Sequence, residues 1–400
     1  MKGKRILICC NRTLNLGGIE KALTTFLRAF NTAENDVTLV LHDSKGALHS
    51  ELPLEHIRVF YVNSIDASAL LREDLRKLRI GQVCKGIWNR MRLRREQDWY
   101  ARIMYTYRIL KRKLVFPGHF DCAISFTSDY SDLSMVAEAD ADKRISFVHG
   151  DATKGPRHAR LNDPLVRKMD KVYAVSQRAK ELFVQMHPAC KDTADVMHNV
   201  ILTEDIRKKA EEPVDDMIRD GVLTLCTVGR LSQEKGQQMI PEIAKLLREA
   251  GWNFRWYLVG DGGLRPELEQ KIREMDLGEQ VILLGGKQNP YPYMKNCDVY
   301  VQTSFSEAYG ITIAEARALC KPIVATDAPG VGEQIRSGEN GLIVDQMTPE
   351  SLFDGIRKLL VNSVLQQKMI QELKDEQHLG EEPLQKLYDF IDHSAFTADM

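Results

Sequence analysis

The sequence has no apolar stretch long enough to cross a membrane as a helix. A membrane-spanning helix needs about 20 mostly apolar residues, and no apolar span of even 18 residues occurs in this chain of 400. The first apolar run, at residues 6–10, is also shorter than the core of a signal peptide, which has about 7–15 apolar residues. We therefore expect a protein that stays in the cytoplasm.

The sequence also lacks cysteine motifs of the C-x-x-C type and a large net charge of either sign. The eight cysteines include no C-x-x-C pair and show no zinc-binding spacing, so neither a zinc module nor a thioredoxin-like redox motif is indicated. Several of them lie in apolar runs, which fits buried thiols in a reducing compartment. The formal net charge of −1 argues against general binding to nucleic acid.

Short apolar runs that alternate with helical patterns predict an α/β protein. Residues 5–10 form the first such run, the pattern of a strand buried on both faces of a parallel sheet. Next come Gly17 and Gly18 and then a helix, as at the start of a doubly wound α/β domain. The turn is not G-x-G-x-x-G, which disfavours a nicotinamide or flavin cofactor. The glycine pair has two alternative explanations: tight packing of the turn, or access of a ligand to the backbone.

The α/β alternation occurs twice along the chain. A charged segment at 202–221, with a proline and little apolar periodicity, separates the two series. We therefore expect an N-terminal domain over 1–200 and a C-terminal domain over 201–382, followed by a helix over about 383–400. No internal repeat of fixed period is visible.

A basic segment at 72–113 interrupts the first series. It holds 14 Lys and Arg against 4 Asp and Glu, and apolar residues recur in it at helical spacing. This predicts a basic amphipathic helical region. Either these are surface helices packed on the core, or they dock on an anionic membrane surface, where each basic residue contributes on the order of 1 kcal/mol. Nucleic-acid binding is disfavoured because no motif that reads bases accompanies the charge.

One of the ten histidines is better placed for function than the others. His149 directly follows the strand predicted at 143–148 and precedes a glycine. Ligands of open α/β sheets bind at the carboxyl ends of the strands. His149 is therefore a candidate site residue, with a structural role as the alternative.

The stretch EAYGITIAE follows a strand-like run in the second series and opens a helix. Gly310 lets the backbone approach a ligand closely, and the N–H groups of Ile311 and Thr312 at the helix N-terminus form a ready anion site. Glu307 lies at the end of the strand, and Glu315 lies one turn into the helix. The stretch therefore offers carboxylates for hydroxyl groups beside amides for a phosphate.

Cations and a further glycine lie in neighbouring loops at the same predicted sheet edge. Arg230 and Lys235 flank the loop GRLSQEKG after one strand, and Gly285 ends another. Guanidinium and ammonium groups can stabilise the charge that develops on a leaving diphosphate. Taken singly, each is explained as solvated charge; together with the helix they predict a nucleoside diphosphate sugar site. No Asp-x-Asp pair ends a strand, so no obligatory divalent metal is expected.

These segments resemble the family 4 retaining glycosyltransferases, glycosyl transferases group 1, which have the GT-B fold. The matching pieces are 17–21, 228–236, 259–262, 296–301, Glu307 with Glu315 in the E-x7-E pattern, 322–326 and 338–344. The second half is matched almost continuously from about 222 to 345. The first half matches only at the Gly17 turn and around His149.

The resemblance implies two Rossmann-like doubly wound parallel-sheet domains that face a central cleft, with the donor held mainly by the second. It also implies that the last helix packs back on the first domain and that transfer proceeds with retention, assisted by the leaving phosphate. The residue roles it implies are diphosphate binding by Arg230 and Lys235, phosphate contact by the amides of Ile311 and Thr312, sugar binding by Glu307 and ribose binding by Glu315. It also implies that the turn at Gly17 and Gly18 borders donor and acceptor and that His149 lies near the sugar.

The chain departs from the family at two positions beside the predicted site. Ala308 stands where the family usually has glycine and Tyr309 where phenylalanine is common, so the sugar is not predicted. Family members with long basic segments often act on lipid-linked acceptors at the cytoplasmic leaflet. We therefore expect a UDP- or GDP-sugar donor and a lipid-linked or growing surface polysaccharide as acceptor. The alternatives are a sugar-nucleotide epimerase or hydrolase on the same fold, and a non-catalytic glycosyltransferase-like partner subunit.

Overall fold

The structure is a computed structural model. In it the chain forms two compact units. It describes residues 2–64, 87–88, 91, 116–150, 156–218, 220–376 and 382–392. The first unit takes in residues 1–15, 19–198 and 384–400, and the second takes in 16–18 and 199–383. Most of the basic segment, with its predicted amphipathic helices, lies outside the described residues, as do the last eight residues of the helix predicted over 383–400.

A seven-stranded parallel sheet forms the centre of the first unit. Its strands lie in the order β3-β2-β1-β4-β5-β6-β7, so the direction of the strand order changes between β1 and β4. They are β1 Arg5–Cys10, β2 Asp36–Leu41, β3 Ile57–Tyr61, β4 Phe120–Ser125, β5 Ala141–Val148, β6 Lys171–Ala174 and β7 Ala194–Val196. The helices that the structure describes in this unit are Gly18–Ala29, Tyr130–Glu138, Pro156–Val166, Gln177–Met186 and Glu382–Asp392. Strands covered on both faces must be apolar along their whole length, as the first apolar run is.

The last helix, Glu382–Asp392, is part of the first unit. The hydroxyl of Tyr388 accepts a hydrogen bond from the backbone N–H of Asn31 at 3.1 Å, and the Tyr388 ring lies 5.6 Å from that of Phe30. Lys386 Nζ lies 2.8 Å from Asp195 Oδ2. The last described helix therefore packs on the unit that contains β1.

A six-stranded parallel sheet forms the centre of the second unit, in the order β10-β9-β8-β11-β12-β13. Its strands are β8 Leu223–Val228, β9 Phe254–Val259, β10 Val281–Gly285, β11 Val299–Gln302, β12 Ile323–Thr326 and β13 Leu342–Val344. The helices are Thr203–Lys209, Ile240–Glu249, Arg265–Glu274, Tyr291–Lys295, Ile311–Ala318, Pro349–Leu360 and Ser363–Asp375. Its core includes fully buried Trp256 on the sheet and Ile243 and Ile356 on the covering helices.

The strand order of the second sheet changes direction between β8 and β11. From β8 the chain continues outward through β9 and β10, and from β11 it continues to the other side through β12 and β13. The loops that follow two such strands diverge and leave a crevice at the carboxyl edge of the sheet, where open α/β sheets bind their ligands. The loops after β8 and β11 therefore define the candidate site of this unit.

Two glycines allow the loops at this edge to pack backbone against backbone. Gly236 has φ +69°, and a Cβ atom there would lie 1.9 Å from the carbonyl oxygen of Thr303. Gly260 has φ +151°, and its Cβ would lie 1.9 Å from the carbonyl oxygen of Gly229. No other residue fits such contacts in such backbone conformations. The loops after β8, β9 and β11 are thereby held close together.

An ion-pair cluster ties the helix Ile311–Ala318 to the end of the helix Ser363–Asp375. Arg317 Nη2 lies 2.8 Å from Glu376 Oε2, and these side chains are 8% and 14% exposed. Arg336 Nη2 lies 2.6 Å from Glu376 Oε1, which also accepts a hydrogen bond from Asn340 Nδ2 at 3.0 Å. Burial alone would raise the pKa of the Glu376 carboxyl, but the two arginines and Asn340 outweigh it and lower that pKa below its usual range.

The stability contributed by Glu376 is expected to depend on pH. Because the folded state lowers its pKa, this contribution is present above the pKa of the unfolded chain and is lost as the pH falls through the folded pKa. Glu376→Gln should lower the free energy of unfolding by about 1–3 kcal/mol at pH 7, and by much less at pH 3. Urea unfolding at both pH values measures the difference. Glu339→Gln, which removes a half-exposed partner of Arg336, is the control and should change little.

Candidate functional site

The loops after β8 and β11 are joined by backbone contacts across the crevice. After β8 the chain forms a short 3-10 turn, Gln233–Lys235. The backbone N–H of Phe305 donates to the carbonyl of Glu234 at 2.9 Å, and the hydroxyl of Thr303 donates to the carbonyl of Lys235 at 2.8 Å. These bonds fix the Lys235 backbone against the loop that carries Glu307.

The carboxylate of Glu307 lies at the centre of the site. Its side chain is 6% exposed, and its Oε1 lies 2.7 Å from Lys235 Nζ. Gln302 Nε2 and Ser304 Oγ donate to the same oxygen, each at 2.7 Å. A buried carboxylate is retained only when it is paired and hydrogen-bonded, and here one cation and two neutral donors meet that need. The Lys235 side chain is 23% exposed, so it is only partly shielded from solvent.

A helix N-terminus follows Glu307 directly. Gly310 has φ +84° and precedes the helix Ile311–Ala318. Gln334 Nε2 donates to the carbonyl of Gly310 at 3.2 Å and also to that of Tyr309, which holds this turn in place. The first N–H groups of a helix have no partner within it, and with the helix dipole they attract anions. A helix N-terminus thus begins four residues after Glu307, and anion binding by its amides stays a prediction.

Three other predicted site residues lie in this unit without contacting that pair in the bonds described. Arg230 is exposed, and its carbonyl accepts a hydrogen bond from Gln237 Nε2 at 2.9 Å. Glu315 is 1% exposed and accepts from the Tyr291 hydroxyl at 3.2 Å. Gly285 ends β10 with φ +74°. Their roles in ligand binding stay predictions.

The remaining predicted residues lie near the start of the chain and at the end of β5. Gly18 is the first residue of the helix Gly18–Ala29, and Gly17 directly precedes it. His149 follows β5, and its ring lies 4.6 Å from that of Phe126, which follows β4. The carboxyl edge of the first sheet therefore carries His149, and its role there stays a prediction. Residues 151–155, including Asp151 beside it, lie outside the described residues.

Sequence reasoning missed the two neutral donors to Glu307. Gln302 is 3% exposed and Ser304 is fully buried. In the sequence both lie within the strand-like run at 298–304. A signal was nevertheless present, because a polar side chain at the end of a strand buried on both faces must find a hydrogen-bond partner.

A buried carboxyl in the first unit was also missed. Asp132 is 1% exposed, and it accepts from the backbone N–H of Asn11 at 2.9 Å and from the Thr127 hydroxyl at 2.7 Å. Burial raises the pKa of Asp132 to about 7. Because Asn11 follows β1 and Thr127 follows β4, Asp132 joins the two loops at the point where the first strand order changes direction.

Neither a metal cluster nor a membrane-spanning helix is found in the parts of the chain that the structure describes. No group of three or more His, Cys, Asp and Glu side chains there is placed to hold a metal ion. No described helix is both long and apolar enough to cross a bilayer. That the protein needs no obligatory metal stays a prediction.

The second unit matches a known family by sequence. Residues 208–376 match the model of the family described as glycosyl transferases group 1. The chain is 29% identical over 202 residues to the N-acetylgalactosamine-N,N'-diacetylbacillosaminyl-diphospho-undecaprenol 4-alpha-N-acetylgalactosaminyltransferase of Campylobacter jejuni, covering 50% of this chain and 53% of that protein. It is 26% identical over 164 residues to the capsular polysaccharide biosynthesis glycosyltransferase CapM of Staphylococcus aureus, covering 41% and 45%. The chain thus spans only about half the length of the curated relatives it matches.

The fold is similar to that of solved structures along nearly the whole chain. The crystal structure of Anabaena HepE in complex with UDP and glucose matches with a TM-score of 0.72 at 19% identity, covering 97% of this chain and 99% of that one. At this identity the likeness shows the fold alone. The chain therefore has the GT-B fold, as predicted from its sequence, and its residues 208–376 are similar in sequence to the glycosyl transferases group 1.

Proposed function

We propose that the protein is a retaining glycosyltransferase that moves a sugar from a nucleoside diphosphate sugar to a carbohydrate or lipid-linked acceptor. The observation that carries the proposal is the 2.7 Å contact between Lys235 and Glu307, at the point where the strand order changes direction and four residues before the helix that begins at Ile311. A cation and a helix dipole suit a diphosphate, and a carboxylate suits sugar hydroxyls. The solved complex of HepE contains UDP and glucose, which favours UDP over GDP as the nucleotide.

Each residue of the site has a role in this reaction. The ammonium group of Lys235, the amides of Ile311 and Thr312 and the guanidinium of Arg230 stabilise the charge that develops on the leaving diphosphate. All three protein donors to Glu307 meet at Oε1, so among the described contacts Oε2 is left to accept hydrogen bonds from the sugar. The acceptor hydroxyl attacks C1 on the face that the diphosphate leaves, and a leaving phosphate oxygen takes its proton. Glu315 binds the ribose.

A thermal-shift panel of UDP-, GDP- and ADP-sugars tests the proposal. A true donor at 100 times its Kd should stabilise the protein by about 2.7 kcal/mol. Incubation of that donor with and without acceptor lipids then distinguishes transfer from hydrolysis, because free sugar formed without acceptor would indicate a hydrolase. NMR of the glycosylated product reports whether the anomeric configuration is retained. If no nucleotide sugar raises the melting temperature, the proposed function is wrong.

We further propose that the acceptor is reached at the inner face of the cell membrane and that the basic segment at 72–113 binds there. The Campylobacter jejuni relative is named for a diphospho-undecaprenol acceptor. Anionic lipids attract basic residues by about 1 kcal/mol each, so three charge reversals should weaken binding to phosphatidylglycerol vesicles at least about 100-fold. Vesicle cosedimentation measures this for Arg92→Glu/Arg94→Glu/Arg95→Glu.

The control for this prediction carries the same change of net charge elsewhere. Lys245→Glu/Lys358→Glu/Lys368→Glu reverses three exposed lysines of the second unit. It should leave vesicle binding largely unchanged, and binding of the wild type should fall in 0.5 M salt because charges are screened. Equal losses in the two triple variants would contradict a specific role for the basic segment.

A further inference from the structure

Gln302 is the last residue of β11 and lies beneath the candidate site. It is 3% exposed, although glutamine is seldom buried. A primary amide has two donor hydrogens and an oxygen that can accept twice, and burial requires that these groups find partners. The partners of Gln302 therefore show what this position does.

The amide nitrogen of Gln302 faces the acid of the site. Nε2 donates to Glu307 Oε1 at 2.7 Å and to Ser304 Oγ at 2.8 Å. The hydroxyl of Ser304 in turn donates to Glu307 Oε1 at 2.7 Å. A carboxylate only accepts hydrogen bonds, so the nitrogen of the amide, and not its oxygen, must lie on this side.

The amide oxygen of Gln302 faces the anion-binding helix. Oε1 accepts from the hydroxyl of Thr312 at 3.2 Å and from the hydroxyl of Tyr300 at 2.8 Å. Thr312 is in the first turn of the helix Ile311–Ala318, and Tyr300 is fully buried in β11. One buried amide thus links the Glu307 carboxylate to the first turn of that helix.

We propose that Gln302 is a positioning residue that holds the sugar-binding carboxylate and the phosphate-binding helix turn in register for one donor molecule. The inference rests on the proposed function of Glu307 and of the helix N-terminus. An amide is required because it donates toward the acid and accepts from the hydroxyl groups. Leucine can do neither, and an ionised glutamate can only accept.

A first experiment tests the Gln302–Glu307 contact without any ligand. Gln302→Glu places a second carboxyl group against Glu307, and two carboxyl groups that share a site bind a proton more tightly than either does alone. The raised pKa of the pair stabilises the folded variant at low pH and not at high pH. Its melting temperature should therefore fall further below that of the wild type as the pH rises from 5 to 8.

The double variant Gln302→Glu/Glu307→Gln provides the control for charge. It keeps one carboxyl group and one amide at the two positions in exchanged order, so the additional loss of melting temperature with pH should disappear. A pH-independent deficit in Gln302→Glu, or the same pH dependence in both variants, would overturn the contact and the proposal with it.

A second experiment tests the effect on the donor. With the donor that stabilises the wild type, Gln302→Leu should lower kcat/KM by about 10- to 100-fold, the loss expected when a reacting group is misplaced by about 1 Å. Gln302→Glu should lose activity at pH 8 and regain most of it at pH 5.5, relative to the wild type at each pH, because the protonated carboxyl group can again donate.

Thr227→Val is the matched control for loss of a buried polar group in the same sheet. The Thr227 hydroxyl donates to the carbonyl of Val301 at 2.7 Å and accepts from Trp256 Nε1 at 3.0 Å, and neither bond involves the side-chain amide of Gln302. It should lower the melting temperature and leave kcat/KM and its pH profile unchanged. Equal losses in Thr227→Val and Gln302→Leu, or full activity in Gln302→Leu, would overturn the positioning role. An inactive wild type with every donor would instead overturn the proposed function.

Discussion

Glu307→Gln is expected to lower kcat/KM for sugar transfer by about 10²- to 10³-fold, the usual effect of removing one group that a transition state needs. Glutamine keeps the size of the side chain but replaces one of two charged acceptor oxygens with a donor, and it removes the charge that pairs with Lys235. The lysine left behind is 23% exposed, so water can solvate it. Steady-state kinetics with the identified donor measures the loss, and circular dichroism and thermal melting show whether the fold is kept.

Two further variants separate catalysis from general damage. Lys235→Ala should lower kcat/KM by a similar factor and should also lower the melting temperature, because it leaves a carboxylate that is 6% exposed without its cation. Asp220→Asn breaks the 2.6 Å ion pair with Arg255 at the amino-terminal edge of the same sheet and should leave activity unchanged. Undiminished turnover in Glu307→Gln and Lys235→Ala would rule out the proposed site.

Gly236→Ala is expected to destabilise the second unit by about 2–4 kcal/mol, combining the cost of a left-handed conformation with that of a steric clash. The residue has φ +69°, and its Cβ would lie 1.9 Å from the carbonyl oxygen of Thr303. A backbone carbonyl cannot rotate away as the tip of a side chain can. The whole loop after β11, or the loop that carries Lys235, must therefore shift to relieve the clash. Urea unfolding measures the stability, and the affinity for UDP measures the shift.

Gly251→Ala is the matched control for this substitution. Gly251 has φ +84°, yet nothing lies within 4 Å of the place its Cβ would take. Its replacement should cost only the conformational part, about 1 kcal/mol, and should not affect UDP binding. Equal costs for the two alanine variants would show that the contact with Thr303 does not limit this loop.

Much of the fold could be predicted from the sequence because parallel strands leave a strong pattern. Strands buried on both faces are apolar along most of their length, so β1 appears as the apolar run at 6–10 and β8 as a run in which only Thr224 and Thr227 are polar. Their glycine-rich loops show where the chain turns at the carboxyl edge. Thr348 followed by proline indicates the start of the helix Pro349–Leu360, where the Thr348 hydroxyl accepts from the N–H of Ser351. The helix Ser363–Asp375 was not predicted, because its polar sequence has no clear apolar period.

The candidate site could be predicted only in part. Residue types and spacing identified Lys235 and Glu307, but not that Lys235 Nζ and Glu307 Oε1 would lie 2.7 Å apart. That contact depends on the side-by-side placement of β8 and β11 and on side-chain rotamers, which no local pattern encodes. Gln302 was missed for the same reason. Ribose binding by Glu315 stays a prediction; its side chain is 1% exposed and accepts a hydrogen bond from the Tyr291 hydroxyl, a partner that spacing does not reveal.

The glycine contacts between loops decide which positions are open to redesign. At Gly236 and Gly260 a neighbouring carbonyl fills the space that any side chain would need, so a randomised library gains nothing there. Ser232 and Gln233 lie in the loop after β8 that also contains Gly236, and neither is buried. A library aimed at a different donor should therefore vary these two and keep both glycines, since the scaffold tolerates new chemistry only where its backbone is not already in contact.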